Sequence, residues 1–226
     1  MLALAPSASL LDVGCGTGTW MRAALEYGLQ DVLGVDGVHP PAAQLHVPPT
    51  LVCSADLTRP WSADRRFDLT LCLEVAEHLD PGAADTLLDT LISHSDRIFF
   101  SAACPGQPGQ HHVNCQWPAY WQERFNHRGY VCTDAVRWQI WDLPSVDPWY
   151  RQNLFLATRD PAIAGNETRI RPVIHPEMLA SLSSSSDFQV STAVTRAIES
   201  GSMPVSWYLS APLTALMRKT TRFFTS

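Results

Sequence analysis

The chain of 226 residues is 46% hydrophobic and 17% charged with a formal net charge of −6, which suits one large α/β domain plus an appendage and excludes a second full domain. A net acidic chain sets up no overall field toward nucleic acid or an anionic membrane. Met1 to Ser9 carry no Lys or Arg and run directly into apolar sequence, so neither a signal peptide nor a membrane span is expected, and the location implied is cytoplasmic.

The run Leu10-Leu11-Asp12-Val13 passes through Gly14, Gly16 and Gly18 into the helical pattern Trp20 to Tyr27, placing a strand, a glycine turn and a helix N-terminus in a row. Such glycines let a ligand approach the backbone, and the free N–H groups of the helix point at it. Asp31 to Asp36 reads as a second buried strand that ends in an acid, where a carboxylate can accept from both hydroxyls of a ribose. On its own that acid suits NAD and adenosyl cofactors alike. The Pro-rich piece 39–50 leaves room for a short helix before a third strand, Leu51 to Cys53, which leads to a second strand-end acid, Asp56.

A fourth strand, Phe67 to Leu73, runs into Glu74-Val75-Ala76-Glu77-His78-Leu79 and then a helix from Pro81 to about His94 with Leu87, Leu88 and Leu91 inward. Arg97 to Ser101 is a fifth strand, followed by an irregular Gly/Pro-rich loop, Cys104 to Asn114, that carries His111 and His112. A helix from Pro118 to His127, a strand from Val131 to Val136 and a last strand from Asn153 to Thr158 complete the pattern. Between those two strands lies an aromatic insert, Trp138, Trp141, Trp149 and Tyr150, for which packing beneath the loop is the simpler expectation and the wall of a pocket the other. The six cysteines form no Cys-x-x-Cys pair, which argues against disulfides and a thiolate zinc site. From Pro161 the composition shifts toward Pro, Ala and Ser. Ser210-Ala211-Pro212 then opens an amphipathic helix with Leu213, Leu216, Met217 and Phe224 on one face, suited to docking on its own domain or on a second copy in a homo-oligomer.

Leu-Asp-Val-Gly-Cys-Gly-Thr-Gly at 11 to 18, Val-Asp at 35 to 36, Ala-Asp-Leu at 55 to 57 and Phe-Asp-Leu…Leu-Glu-Val-Ala-Glu-His-Leu at 67 to 79 resemble, in order and spacing, the class I S-adenosylmethionine-dependent methyltransferases. The likeness covers roughly residues 8 to 158 and implies an α/β fold: a doubly wound seven-stranded Rossmann-like sheet, helices on both faces, order 3-2-1-4-5-7-6 with the last-formed edge strand antiparallel. It implies a methyltransferase domain over 1–159 and a partly helical extension over 160–226. By the same likeness Gly14, Gly16 and Gly18 lie against the methionine part of S-adenosylmethionine, and Asp36 binds its ribose. Asp56 meets the adenine amine with Leu57 beside the ring, Asp12 steadies the methionine end through the loop, and Cys72 and Leu73 offer backbone near its ammonium. An NAD-dependent oxidoreductase fits less well, because the triplet is G-x-G-x-G and Asp56 has no partner in a nicotinamide site. A non-catalytic relative of the fold is a further alternative.

Methyl transfer to an alcohol needs an acceptor whose proton is removed or shared. The Glu-x-x-Glu-His run with a later His resembles small-RNA methyltransferases acting on a 3′-terminal ribose and ubiquinone-pathway catechol O-methyltransferases, in which such residues hold a metal that chelates vicinal hydroxyls. The resemblance implies Glu74, Glu77, His78 and His112 as ligands of Mg²⁺, Mn²⁺ or Zn²⁺, with His111 replacing His112 if the register differs by one. A metal-free site with His111 or His112 as general base stays open beside it. Net negative charge favours a small hydroxylated acceptor, a sugar or an aromatic diol, over RNA.

Overall fold

The computed structural model describes residues 7–38 and 40–183. The chain divides into two compact units, Met1–Leu179 and Ala180–Ser226, and the amphipathic helix expected over 210–224 lies outside the described residues.

Unbroken apolar runs make the strands. Four of the five residues of β1 (Ser9–Val13), all five of β4 (Leu69–Leu73) and four of the five of β5 (Arg97–Ser101) are buried, as a sheet covered on both faces requires. With β2 (Asp31–Asp36), β3 (Val52–Ser54), β6 (Tyr130–Thr133) and β7 (Phe155–Arg159) they form one sheet in the order β3-β2-β1-β4-β5-β7-β6. The first five strands pair in parallel, and β7 is antiparallel to both neighbours. This is the order that the resemblance implies, except that the antiparallel strand sits inside the edge and β6 forms the edge itself.

Successive side chains alternate between two cores. Cys72, Ile98 and Phe100 face α2 (Ala84–His94) and α3 (Pro118–Asn126), where Phe100 packs on Trp121, Phe125 and Phe155 at centroid distances of 5.1, 5.5 and 5.4 Å. Leu69, Leu71, Leu73 and Phe99 face the other way, onto Met21 and Ala24 of α1 (Thr19–Glu26) and Val136 of α4 (Ala135–Ile140). The pairings Val13↔Val35 and Leu73↔Ser101 bring the carboxyl ends of β1, β2, β4 and β5 to one edge, the edge at which α/β sheets bind ligands.

Three local readings change. The strand expected to reach Val136 stops at Thr133, because Asp134 accepts from the Arg137 guanidinium and, at 3.1 Å, from the Trp138 indole, and α4 begins in the next residue. The last strand begins at Phe155 rather than Asn153, since Pro148 opens a further helix, α5 (Pro148–Asn153). In place of a short helix, 39–50 contributes the 3₁₀ turn Ala42–Gln44, and a second turn spans Pro49–Leu51, among prolines that cannot donate. Beyond β7 the chain keeps packing on the sheet unit. Ile170 joins the α2–α3 core, and Arg151 of α5 donates at 2.8 Å to Glu177 in α6 (Pro176–Ser183).

Candidate active site

The glycine turn follows from what surrounds it. Gly14, Gly16 and Gly18 hold φ of +80°, +52° and +82°, a region costly for residues with a Cβ. A Cβ on Gly14 would overlap Val75, and one on Gly18 would lie 2.8 Å from Val47 Cγ2, whereas Gly16 faces open space. The Gly14 amide donates to the Val35 carbonyl at 2.7 Å, and the Gly16 amide donates to Asp36 Oδ2 at 2.8 Å. Asp36 Oδ1 accepts from the Val38 amide at 2.8 Å. The acid at the tip of β2 thus shapes the loop and keeps lone pairs for a ligand.

These residues open onto a cleft of about 390 Å³ lined by Gly14, Asp36, Gly37, Val38, Asp56, Leu57, Glu74, Val75, His78 and Leu79. Asp56 accepts from the Thr58 amide at 2.9 Å and hydroxyl at 2.6 Å, bonds that hold its carboxyl below the usual range. Asp12 is 1% exposed, and its Oδ2 has no hydrogen-bond partner. Burial, and then the Asp36 charge, push its carboxyl up to about 7. Gly18 precedes the first turn of α1, the Cys72 side chain is fully buried in the core, and the Leu73 side chain lines a second, apolar cavity, so Cys72 and Leu73 could offer only backbone to the cleft.

Beside the cleft, ligand atoms of Glu77, His78 and His112 lie within 4.8 Å of one another. The loop after β5 is tied there by its backbone, since the Val113 and Asn114 amides both donate to the Glu77 carbonyl, at 2.8 and 3.0 Å. The rings of His78 and His112 meet at 5.0 Å, edge to face. His112 Nδ1 is 3.1 Å from the Gln107 carbonyl; a carbonyl only accepts, so Nδ1 carries the proton and Nε2 the lone pair. Glu77 is 1% exposed, and neither carboxylate oxygen meets a partner in good hydrogen-bond geometry, although the Glu77 and Ala103 amides are close enough to pull its carboxyl down. Burial, and next the charge of Glu74, push it up to about 8.

Glu74 does not join this cluster. Its φ is +55°, and its carboxylate accepts from Gln107 Nε2 at 2.8 Å and Asn153 Nδ2 at 3.2 Å. Burial raises its carboxyl while those amides pull it back. His111 is exposed with φ +54° and also stays outside, so His112 is the histidine in register. Sequence reasoning missed Gln107, which lies unmarked in the Gly/Pro-rich loop, and Asn153, whose one signal was its place just before a buried strand. The aromatic insert divides. Trp141 packs on Trp138 and on His175 at centroid distances of 5.0 and 4.6 Å, while Tyr150 meets Trp20 at 5.3 Å and walls the apolar cavity.

A family model described as a methyltransferase domain matches residues 1–143. A search of curated proteins finds no match. Among solved structures, magnesium protoporphyrin IX methyltransferase from Synechocystis PCC 6803 with bound SAH superposes with a TM-score of 0.52 at 18% identity, over 70% of this chain and 78% of that one. The methyltransferase domain of bacterial CtHen1-C superposes with a TM-score of 0.51 at 14% identity, over 70% of this chain and 93% of that one. Likenesses at these identities are likenesses of fold.

Proposed function

The chain belongs to the class I S-adenosylmethionine-dependent methyltransferases, and from that premise we propose that it methylates a hydroxyl oxygen of a small hydroxylated molecule, a sugar or an aromatic diol. The observation that carries this reading is the convergence of Glu77, His78 and His112 within 4.8 Å, next to a cleft that His78 also lines. In that cleft the residues present suit the cofactor. Asp36 has lone pairs to spare for two ribose hydroxyls, Asp56 and Leu57 stand ready for an adenine, Gly14 has no room for a side chain, and Asp12 Oδ2 is a buried acceptor still to be satisfied. When bound, S-adenosylmethionine would supply a sulfonium methyl group for in-line attack by an acceptor oxygen, the carbon–sulfur bond breaking as S-adenosylhomocysteine leaves.

Positioning such an oxygen is the protein's main task, and orientation contributes up to about 7–11 kcal/mol to reactions of this kind. His112 Nε2, its lone pair fixed by the Nδ1–H bond to Gln107, takes the hydroxyl proton or ligates a metal. A divalent ion would be held by Glu77, His78 and His112; two imidazoles with a carboxylate suit Zn²⁺ or Mn²⁺ better than Mg²⁺, and such an ion would acidify a bound hydroxyl. Glu74 stands outside that set and braces the loop that presents His112. An RNA acceptor calls for basic surface, which a chain of net charge −6 does not favour.

Calorimetry with S-adenosylhomocysteine should show more than tenfold weaker binding to Asp36→Ala, as expected from losing hydrogen bonds to a charged acceptor worth about 1.5–3 kcal/mol each. Turnover of S-adenosylmethionine with pooled diols should fall after chelation, return with Zn²⁺ or Mn²⁺, and collapse in His112→Ala. Full turnover in chelator with His112→Ala unimpaired would overturn the assignment of this cluster.

A further inference from the structure

The cavity into which Leu73 turns is separate from the cofactor cleft and unused by the reaction outlined above. It measures about 130 Å³ and is walled by Trp20, Leu73, Val136, Ile140, Tyr150 and Leu154, with Val146 closing it. An engineered cavity of comparable size and apolar lining binds benzene. Two neighbouring pairs join it to the active site. Leu73 faces the cavity while Glu74 lines the cleft; Leu154 faces the cavity while Asn153 donates to Glu74 at 3.2 Å. Burial raises the Tyr150 hydroxyl, pairing with the Trp20 and Trp149 side chains pulls it back in part, and the Glu74 charge adds a smaller rise.

We propose that this cavity receives an aromatic ring of the acceptor, whose hydroxyl-bearing edge is thereby turned toward the Glu77–His78–His112 cluster. This rests on the acceptor reading above and chooses the aromatic diol over the sugar. A sugar ring carries hydroxyls on most of its carbons, and these walls offer one hydroxyl, that of Tyr150, to pair with them; burying the rest unpaired is unfavourable. An aromatic ring loses only apolar surface to water and finds Trp20 and Tyr150 set edge to face, an arrangement to which a third ring adds readily.

Toluene, which has no hydroxyl and so ignores the metal and base chemistry, probes the cavity alone. With the chain loaded with S-adenosylhomocysteine, toluene should raise the melting temperature and catechol should bind, whereas myo-inositol should do neither. Ile140→Trp and Val146→Trp each fill the cavity from a partly exposed wall position; each should weaken catechol binding more than tenfold and abolish the toluene shift, with S-adenosylhomocysteine affinity within twofold of the parent. A toluene shift absent from the parent, or retained in both filled variants, would overturn the proposal while leaving the methyltransferase reading intact. A parent chain that fails to bind S-adenosylhomocysteine would instead break that reading.

Discussion

Glu77 and Glu167 are the same residue treated in opposite ways. Glu167 sits among donors: Gln122 Nε2 at 3.0 Å, Asn126 Nδ2 at 2.6 Å and the Cys132 amide at 3.1 Å reach Oε1, and the Gly165 amide reaches Oε2 at 2.8 Å. Burial alone would raise its carboxyl, but these bonds win and hold it at about 2. Glu77 is more deeply buried, the pull of the Glu77 and Ala103 amides is too small to offset burial and the Glu74 charge, and it goes the other way. A carboxylate whose lone pairs are filled by its own fold is part of the fold. One that is buried with so little help from its neighbours costs stability, which is why such a group is a candidate for a functional role.

The sharpest way to break this contrast is to neutralise each glutamate and measure both stability and turnover. Glu77→Gln should cut methyl transfer about a hundredfold or more, the size of effect that goes with losing a general base or a metal ligand. Its melting temperature should hold or rise, because the change replaces a buried carboxyl, already driven toward its neutral form beside Glu74, with a neutral amide of the same shape. A large drop in melting temperature with turnover intact would reverse the two roles.

Glu167→Gln should do the reverse, lowering stability by about 1.5–3 kcal/mol as an amide NH₂ is set against donors, with S-adenosylhomocysteine affinity unchanged. The pH dependence carries a definite sign. The folded value of Glu167 lies below its ordinary value of 4.5, so its contribution is complete above pH 4.5 and fades as pH falls toward about 2. Denaturant melts of parent and variant should therefore converge across that interval. A difference that stays constant from pH 6 down to 2.5 would mean that the charge is not what matters.

Gly109→Ala is the smallest perturbation. A Cβ there would overlap the imidazole of His112, a side chain free to swing away, so the fold should hold while the proton-accepting nitrogen is displaced. Turnover should drop several-fold with S-adenosylhomocysteine binding and melting temperature unmoved. Unchanged turnover would show that His112 need not sit where Gly109 lets it sit.

What the sequence could reveal follows the range of the interactions involved. The glycine turn, Asp36 and Asp56 are legible because each is a strand tip fixed by its neighbours, whereas the sheet order was implied only by the family likeness of these motifs. Glu77 and His78 are legible because they are adjacent, and His112 because its loop is too irregular for structure of its own. The helices α4 and α5 were not, since Val131 to Val136 alternates as a strand would and only the pairing of Asp134 with Arg137 decides where it stops. Nor was the fate of Glu74. Its spacing matches a ligand run, but a left-handed backbone and two amides, one 33 and the other 79 residues away, draw it elsewhere.

The antiparallel run of β7 reaches beyond the sheet itself. Because β6 runs parallel to β5 and β7 returns against it, the connection over 134–154 begins and ends at the edge that carries the cofactor cleft, and in between it lays Val136 and Leu154 against one face of the sheet. Val136, Arg137 and the run Arg151 to Leu154 are buried and tied to the rest of the fold, whereas the exposed residues between them can change without touching the tips of β1, β2 and β3. Changes among those exposed residues alter what lies beside the apolar cavity while leaving Glu77, His78, His112 and the strand tips as they are, so in alignments of close relatives the exposed positions of this stretch should diverge faster than its buried ones.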